Sequence, residues 1–264
     1  VYYVLIAGPA GAGKSTLVKA LSEWMLDHSM DVARVNFDPA AEVLPYVPDV
    51  DVRRYVNARD LMVERGLGPN GALIASVDFL VNYVLEIKEE VEETKSNYAL
   101  VDLPGQLEVV AFRRLGPIVL KELVRGCKSV LVFLTDVRLA SDPASSISVA
   151  LLALSTLYRI SIPMALAVNK IDLLFKNEKG RDLSKIHLIR MLSENYSCAE
   201  LSSSTLYTDP EISEKLCEVI REALGDVIPI SAREGTGLDS LYASIQRVLA
   251  GGEDYLTEEP SGYY

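Results

Sequence analysis

A glycine-rich run, Gly8-Pro-Ala-Gly11-Ala-Gly13-Lys14-Ser15-Thr16, sits between an apolar stretch at residues 1–7 and a helical pattern at residues 14–27. This order of strand, loop and helix constrains the fold more than any other feature of the chain. Glycines let successive backbone N–H groups converge on one point, and the following helix adds the positive end of its dipole. The pattern G-x-x-x-x-G-K-[ST] in that setting predicts a phosphate-binding loop, with Gly8, Gly11, Ala12, Gly13 and Thr16 around the phosphates. Lys14 then supplies charge to the β- and γ-phosphates of a purine nucleoside triphosphate, and the Ser15 hydroxyl ligates Mg²⁺.

Further β-branched runs at residues 32–37, 98–103, 130–135, 164–169 and 227–230 read as strands. Their near-continuous apolar character suits a parallel sheet covered on both faces. Helical stretches at roughly residues 71–94, 142–160, 210–224 and 238–249 alternate with them. The expected fold is therefore α/β, a three-layer α/β/α P-loop NTPase with a mostly parallel sheet. The first helix is followed within a few residues by the run at 32–37. That link is too short for the long switch loop of Ras-like GTPases and predicts a parallel βαβ unit.

One domain is expected over residues 1–250, with insertions at 38–71 and 173–210 and an acidic, fraying tail at 251–264. No apolar run reaches the ~18–20 residues of a membrane span, so a soluble, cytoplasmic protein with no membrane partner is expected. The chain carries 26 Lys and Arg against 37 Asp and Glu, a net charge of −11. That balance disfavours direct nucleic-acid binding and favours protein partners, since Arg53-Arg54 and Arg113-Arg114 extend into no stripe. Three widely spaced cysteines predict a reducing compartment without a disulfide framework, and two histidines leave little from which to build a zinc or nickel site.

Four strand ends carry chemistry. In Asp102-Leu-Pro-Gly105-Gln106 the carboxylate can hold the Mg²⁺ shell, Gly105 can offer its N–H to the γ-phosphate, and Gln106 can orient the attacking water. In Asn169-Lys170-Ile-Asp172 the carboxylate can accept from both N1 and N2 of guanine, a donor pair adenine lacks. Lys170 would lie along the base and Asn169 would brace the loop. Ser231-Ala232-Arg233 stands where a backbone amide reaches guanine O6, and Asp38, after Asn36-Phe37, could polarise a water. Gly68-Pro69-Asn70 reads locally as a turn with Asn70 at or near a helix N-cap.

Taken in order, GPAGAGKST, NFDPAAE, GPNGAL, DLPGQ, NKID and SAR resemble the GPN-loop GTPases, SIMIBI-class P-loop NTPases, over nearly the whole chain. Without the long C-terminal extension of some eukaryotic members, it resembles a minimal, archaeal-type one. The resemblance implies binding of GTP and GDP with Mg²⁺, and a homodimer that brings two sites face to face. In it, Gly68, Pro69 and Asn70 of one subunit reach the phosphates of the other, and Asp38, Gln106 and Asn70 surround the attacking water, with Glu108 near. It also implies a molecular switch in assembling a protein complex with an unnamed client, as eukaryotic relatives are implicated in RNA polymerase assembly. An alternative reading is an assembly chaperone or binding module in which slow hydrolysis times partner release, with residues 173–210 binding clients.

Overall fold

β1 (Tyr2–Ala7) buries every residue from Tyr3 to Ala7, as a central strand covered on both faces must. The computed structural model describes residues 1–174, 176–177, 180–193, 197–198 and 209–250. β1 leads through the glycine loop into α1 (Lys14–Asp27) and then β2 (Val32–Asn36). A short β3 (Val50–Asp51), α2 (Ala58–Arg65), α3 (Pro69–Phe79) and α4 (Val84–Glu93) precede β4 (Tyr98–Asp102). α5 (Leu115–Leu123), β5 (Ser129–Asp136), α6 (Val137–Ser141), α7 (Pro143–Ile160) and β6 (Met164–Asn169) follow. The last elements are a small antiparallel pair, β7 (Lys176–Asn177) with β8 (Gly180–Arg181), then α8 (His187–Leu192), α9 (Pro210–Leu224), β9 (Val227–Pro229) and α10 (Leu238–Leu249).

The main sheet has seven strands, all parallel, in the order β3-β2-β4-β1-β5-β6-β9. β1 and β2 are parallel as expected, with β4 inserted between them. Register aligns Ile6 and Asn36 with Asp102, and Asp136 with Asn169. The carboxyl ends of five strands therefore form one edge, where an open α/β sheet places its ligand.

Two apolar layers hold this edge in place. On one face Leu17, Val18, Leu21 and Met25 of α1 pack with Leu238, Leu241 and Ile245 of α10. On the other, Ile87 and Val91 of α4, Val119 and Leu123 of α5, and Ala150 and Ala153 of α7 pack together. α7 starts where Pro143 follows the capping Asp142, whose carboxylate accepts from Ser145 N–H at 2.8 Å. It is the one described helix with the length and apolarity of a membrane span, yet seven of its residues are buried inside the protein.

Two expectations need correction. The helix expected over residues 71–94 is broken: α3 passes through a 3₁₀ turn at Leu80–Asn82 into α4, bent by 71°. Leu80 and Val84, at the two ends of the turn, are both buried in the core. Secondly, Cys198 and Cys217 form a disulfide with Cα atoms 5.8 Å apart, leaving Cys127 free. Their separation of 19 residues belongs to no recognisable spacing, so only the packing of α9 brings them together. The turn at residues 68–70 opens α3 as expected, with Gly68 at the N-cap, Pro69 at the first helical position and Asn70 next to it. Much of the expected insertion at 173–210 lies outside the described residues, as does the tail at 251–264.

Candidate nucleotide site

The loop between β1 and α1 depends on glycine at two close approaches. Gly8 has φ 145°, and a Cβ there would lie 2.1 Å from the Leu134 carbonyl oxygen. Gly13 has φ 97°, and its Cβ would lie 2.5 Å from Asn169 Nδ2. Lys14 curls back over the loop, donating to the carbonyls of Gly8 at 3.0 Å and Pro9 at 3.2 Å, and is 6% exposed. Burial pulls its ammonium pKa below the usual value, and the facing carboxylates of Asp102 and Asp38 oppose that shift. Gly11, with φ 78°, and Thr16 are exposed at the mouth of the loop, Ser15 is half-buried and Ala12 is buried.

Asp102 ends β4 beneath Lys14 and is 2% exposed. Its Oδ2 accepts from the Tyr46 hydroxyl at 3.0 Å, while Oδ1 has no hydrogen-bond partner among the described residues. Burial raises its pKa; Ser15, Tyr46 and Lys14 act in the opposite direction. An unpartnered buried carboxylate oxygen beside the Ser15 hydroxyl is the donor set a hard cation takes, so Ser15 and Asp102 fit a Mg²⁺ that keeps other positions for phosphate and water.

Asp38 follows β2 on the same edge. Its carboxylate accepts from Ala40 N–H at 2.9 Å and faces Lys14 and the backbone N–H of Gly105. Burial raises this pKa too. Gln106 and Asn70 are exposed and meet within the same chain, Nε2 to Oδ1 at 3.4 Å. Released from capping duty, the Asn70 side chain is free to make this contact. Glu108 is exposed at the first position of a single π-helical turn, Glu108–Phe112, an irregularity frequent at functional sites.

The base-reading elements interlock with the phosphate loop. Asn169 is buried; its Nδ2 donates to the Ala12 carbonyl at 2.9 Å, and its Oδ1 accepts from Ala232 N–H at 2.9 Å. The Ser231 hydroxyl donates to Asp172 Oδ1 at 2.7 Å and accepts from Glu234 N–H at 3.2 Å. Lys170, in the left-handed region at φ 66°, donates through Nζ to the Gly11 carbonyl at 2.5 Å and to Asp136 Oδ2 at 2.7 Å.

Two residues here carried no weight in the sequence. Asp136 ends β5 with its side chain 8% exposed, pairs with Arg138 and Lys170, and has a pKa well below the usual carboxylate range against the opposing effect of its burial. A carboxylate at a strand end on the ligand edge was its one available signal. Tyr46 sits in an irregular segment where no periodicity or motif marks it.

An all-parallel sheet with a phosphate loop after its central strand, and a parallel strand directly following the first helix, defines a P-loop NTPase of the SIMIBI class. A family model described as "Conserved hypothetical ATP binding protein" matches residues 6–251. The chain belongs to that family, which is the family of the GPN-loop GTPases. It is 29% identical over 250 residues to GPN-loop GTPase 1 of Dictyostelium discoideum, covering 92% of this chain but 60% of that protein. With GPN-loop GTPase 3 of the same organism, identity is 28% over 258 residues, covering 97% of this chain and 90% of the relative. A GTPase from Pyrococcus abyssi, solved in apo form, superposes with a TM-score of 0.77 at 27% identity, covering 93% of this chain and 96% of the other.

Proposed function

We propose that this chain is a Mg²⁺-dependent hydrolase that converts GTP to GDP and phosphate, working as a homodimeric switch in the assembly of a protein complex. The observation that carries the nucleotide assignment is the bridge from Ser231 to Asp172, joined through Asn169 to the phosphate loop. It fixes one carboxylate at a set distance from the phosphates, aimed by a hydroxyl. A guanine base offers two donors to that carboxylate and adenine does not. This favours GTP although the family description names ATP.

The residues divide the chemistry as follows. Backbone N–H groups of residues 11–16 and the Lys14 ammonium hold the phosphates and stabilise the charge that develops on them. Asp38 and Gln106 hold the attacking water in line with the γ-phosphate. The raised pKa of Asp38 suits a group that receives a proton from water as the bond forms. Mg²⁺ held by Ser15 and Asp102 would supply positive charge that offsets the charge of the phosphates.

Support for a dimer comes from the segment between β2 and α3, where Val43, Val47 and Val63 are 87%, 76% and 81% exposed. Exposed apolar side chains next to a ligand edge are what an interface covers. The long, exposed contact between Asn70 and Gln106 is weak enough to be exchanged for one in which Asn70 serves the partner's site. The switch function would follow from two sites sharing one interface, and its client would be a protein of the transcription machinery or another assembly.

The test is base selection. Asp172→Asn is expected to weaken GTP binding by about 10²-fold or more, with relative gain for a xanthosine nucleotide. Unchanged GTP affinity would sink the assignment. For the paired site, Asn70→Ala should slow hydrolysis while sparing GDP binding. Sedimentation that gives monomers with GDP and a GTP analogue alike would remove the dimer.

A further inference from the structure

Between β2 and β3 the chain makes a long excursion, residues 37–49, that carries Asp38 near its start. It is tied down at both ends. Asn36 Oδ1 accepts from Asp38 N–H at 3.1 Å, and Arg53 Nη1 donates to the Ala41 carbonyl at 2.7 Å. At the far end Asp49 N–H donates to the Arg34 carbonyl at 2.8 Å. In the middle Tyr46 turns inward, 8% exposed, and packs in the apolar layer of α1 and α10.

The Tyr46 ring does not end in apolar surroundings. Its hydroxyl reaches Asp102 Oδ2 at 3.0 Å, so a residue in an irregular loop grips the carboxylate at the end of β4. The grip is one-sided, since Asp102 Oδ1 has no hydrogen-bond partner among the described residues. A carboxylate held at one oxygen by a neutral donor cannot rotate freely about its Cβ–Cγ bond, and its second oxygen keeps a fixed direction. Neutrality matters as well: a cationic donor in the same place would compete with a divalent ion for the charge. A phenol hydroxyl is an uncharged donor at neutral pH.

We infer that Tyr46 is a positioning residue for the divalent cation: it orients Asp102 Oδ1 toward Mg²⁺ and couples cation occupancy to the segment that carries Asp38. This rests on the Mg²⁺-dependent reading above and assigns to it a residue outside every motif in the sequence. The same hydrogen bond works in both directions. A cation held at Oδ1 would fix the carboxylate and through it the phenol, and the phenol holds the loop that carries Asp38, which faces Lys14. Reading the metal and placing the water thus share one loop.

The experiment is a Mg²⁺ titration of GDP affinity, using a fluorescent GDP analogue, for the full chain and for Tyr46→Phe, each also measured in EDTA. Phenylalanine keeps the ring packing and removes only the hydroxyl; the unfolding midpoint without nucleotide checks that the variant is folded. GDP affinity in EDTA is expected to stay within about twofold, while the Mg²⁺ concentration for half-maximal tightening rises about threefold to tenfold, the range for losing one ordinary hydrogen bond. An equal loss in EDTA and in Mg²⁺ would make Tyr46 a packing residue and overturn the inference. So would a Mg²⁺ requirement identical to that of a Mg²⁺-responsive wild type. A wild-type chain whose GDP affinity ignores Mg²⁺ would overturn the cation reading itself, an outcome visible before any variant is made.

Discussion

The two flanks of the phosphate loop are built in different ways. On the β5–β6–β9 side the contacts are short and interlocked, and those of Asn169 are buried: Asn169 joins the Ala12 carbonyl to the Ala232 N–H, and Asp136 anchors Lys170 against Gly11. On the β2–β4 side, Asp38 and Gln106 lie in irregular segments and Asn70 in the first turn of α3, and Gln106 meets Asn70 at 3.4 Å in solvent. The first flank is a finished socket for base and phosphate. The second carries the groups that would meet the water and the partner subunit. Rigidity therefore goes to recognition, and the reacting groups ride on segments that ligand or partner can move.

The largest effect should come from spoiling the socket. Gly13→Ala places a Cβ 2.5 Å from Asn169 Nδ2 at a backbone φ of 97°. Backbone strain of about 1–3 kcal/mol adds to about 1–3 kcal/mol for buried polar groups left unpaired. Denaturant unfolding should show that loss, and GDP affinity should fall by more than about 10²-fold. Native affinity in this variant would break the contrast, because the first flank would prove as yielding as the second.

On the other flank the expected signature is reversed. Asp38→Asn removes the carboxylate but keeps an acceptor for Ala40 N–H, so the loop should hold its shape. We expect kcat to fall about 10²-fold while GDP affinity stays within about threefold, read by single-turnover hydrolysis beside nucleotide titration. A parallel loss in GDP affinity would mean that Asp38 belongs to the socket.

The contrast also explains what the sequence could reveal. Gly8, Gly13, Lys14, Asp102, Asn169, Asp172 and Ser231 sit at strand ends, where apolar runs announce the strand and the next few residues must face the ligand. Their roles are legible because strand, turn and helix are each local. The breaks at Leu80–Asn82 and the π-helical turn at Glu108–Phe112 were not legible, since packing against α5 and α7 decides them. Tyr46 lay beyond reach for the same reason: 56 residues separate it from Asp102, and nothing local marks the pairing. The Cys198–Cys217 bond depends likewise on how α9 docks.

A subtler test of the socket is Asp136→Asn. Asparagine caps a helix as well as aspartate does, so the bond from Arg138 N–H to residue 136, 2.8 Å in the native chain, survives and α6 keeps its start. What disappears is the charge facing Lys170 Nζ. Without it the lysine is held by the Gly11 carbonyl alone, and GTP and GDP affinity should both fall by about tenfold, as for one charge-assisted hydrogen bond. A fall confined to GTP would place Asp136 on the reacting side.

The smallest effect is a pH dependence, and it separates the flanks by sign. Asp102 and Asp38 both have pKa values raised above 3.8, mainly by burial. Such groups stabilise the folded chain most fully below the unfolded value, and that contribution is lost as pH rises through the folded one. Asp136 has a depressed pKa; its contribution is present above the unfolded value and is lost only as pH falls through the folded one. Acidification from neutral pH therefore protonates Asp102 first and leaves the Asp136–Lys170 pair intact. Protons compete with Mg²⁺ for the Asp102 oxygens, so the Mg²⁺ needed for half-maximal tightening of GDP should rise about threefold as pH falls toward the carboxylate range. Over the same interval GDP affinity in EDTA should stay nearly level. Parallel pH profiles with and without Mg²⁺ would show that the buried carboxylates of the β2–β4 flank do not bind the ion.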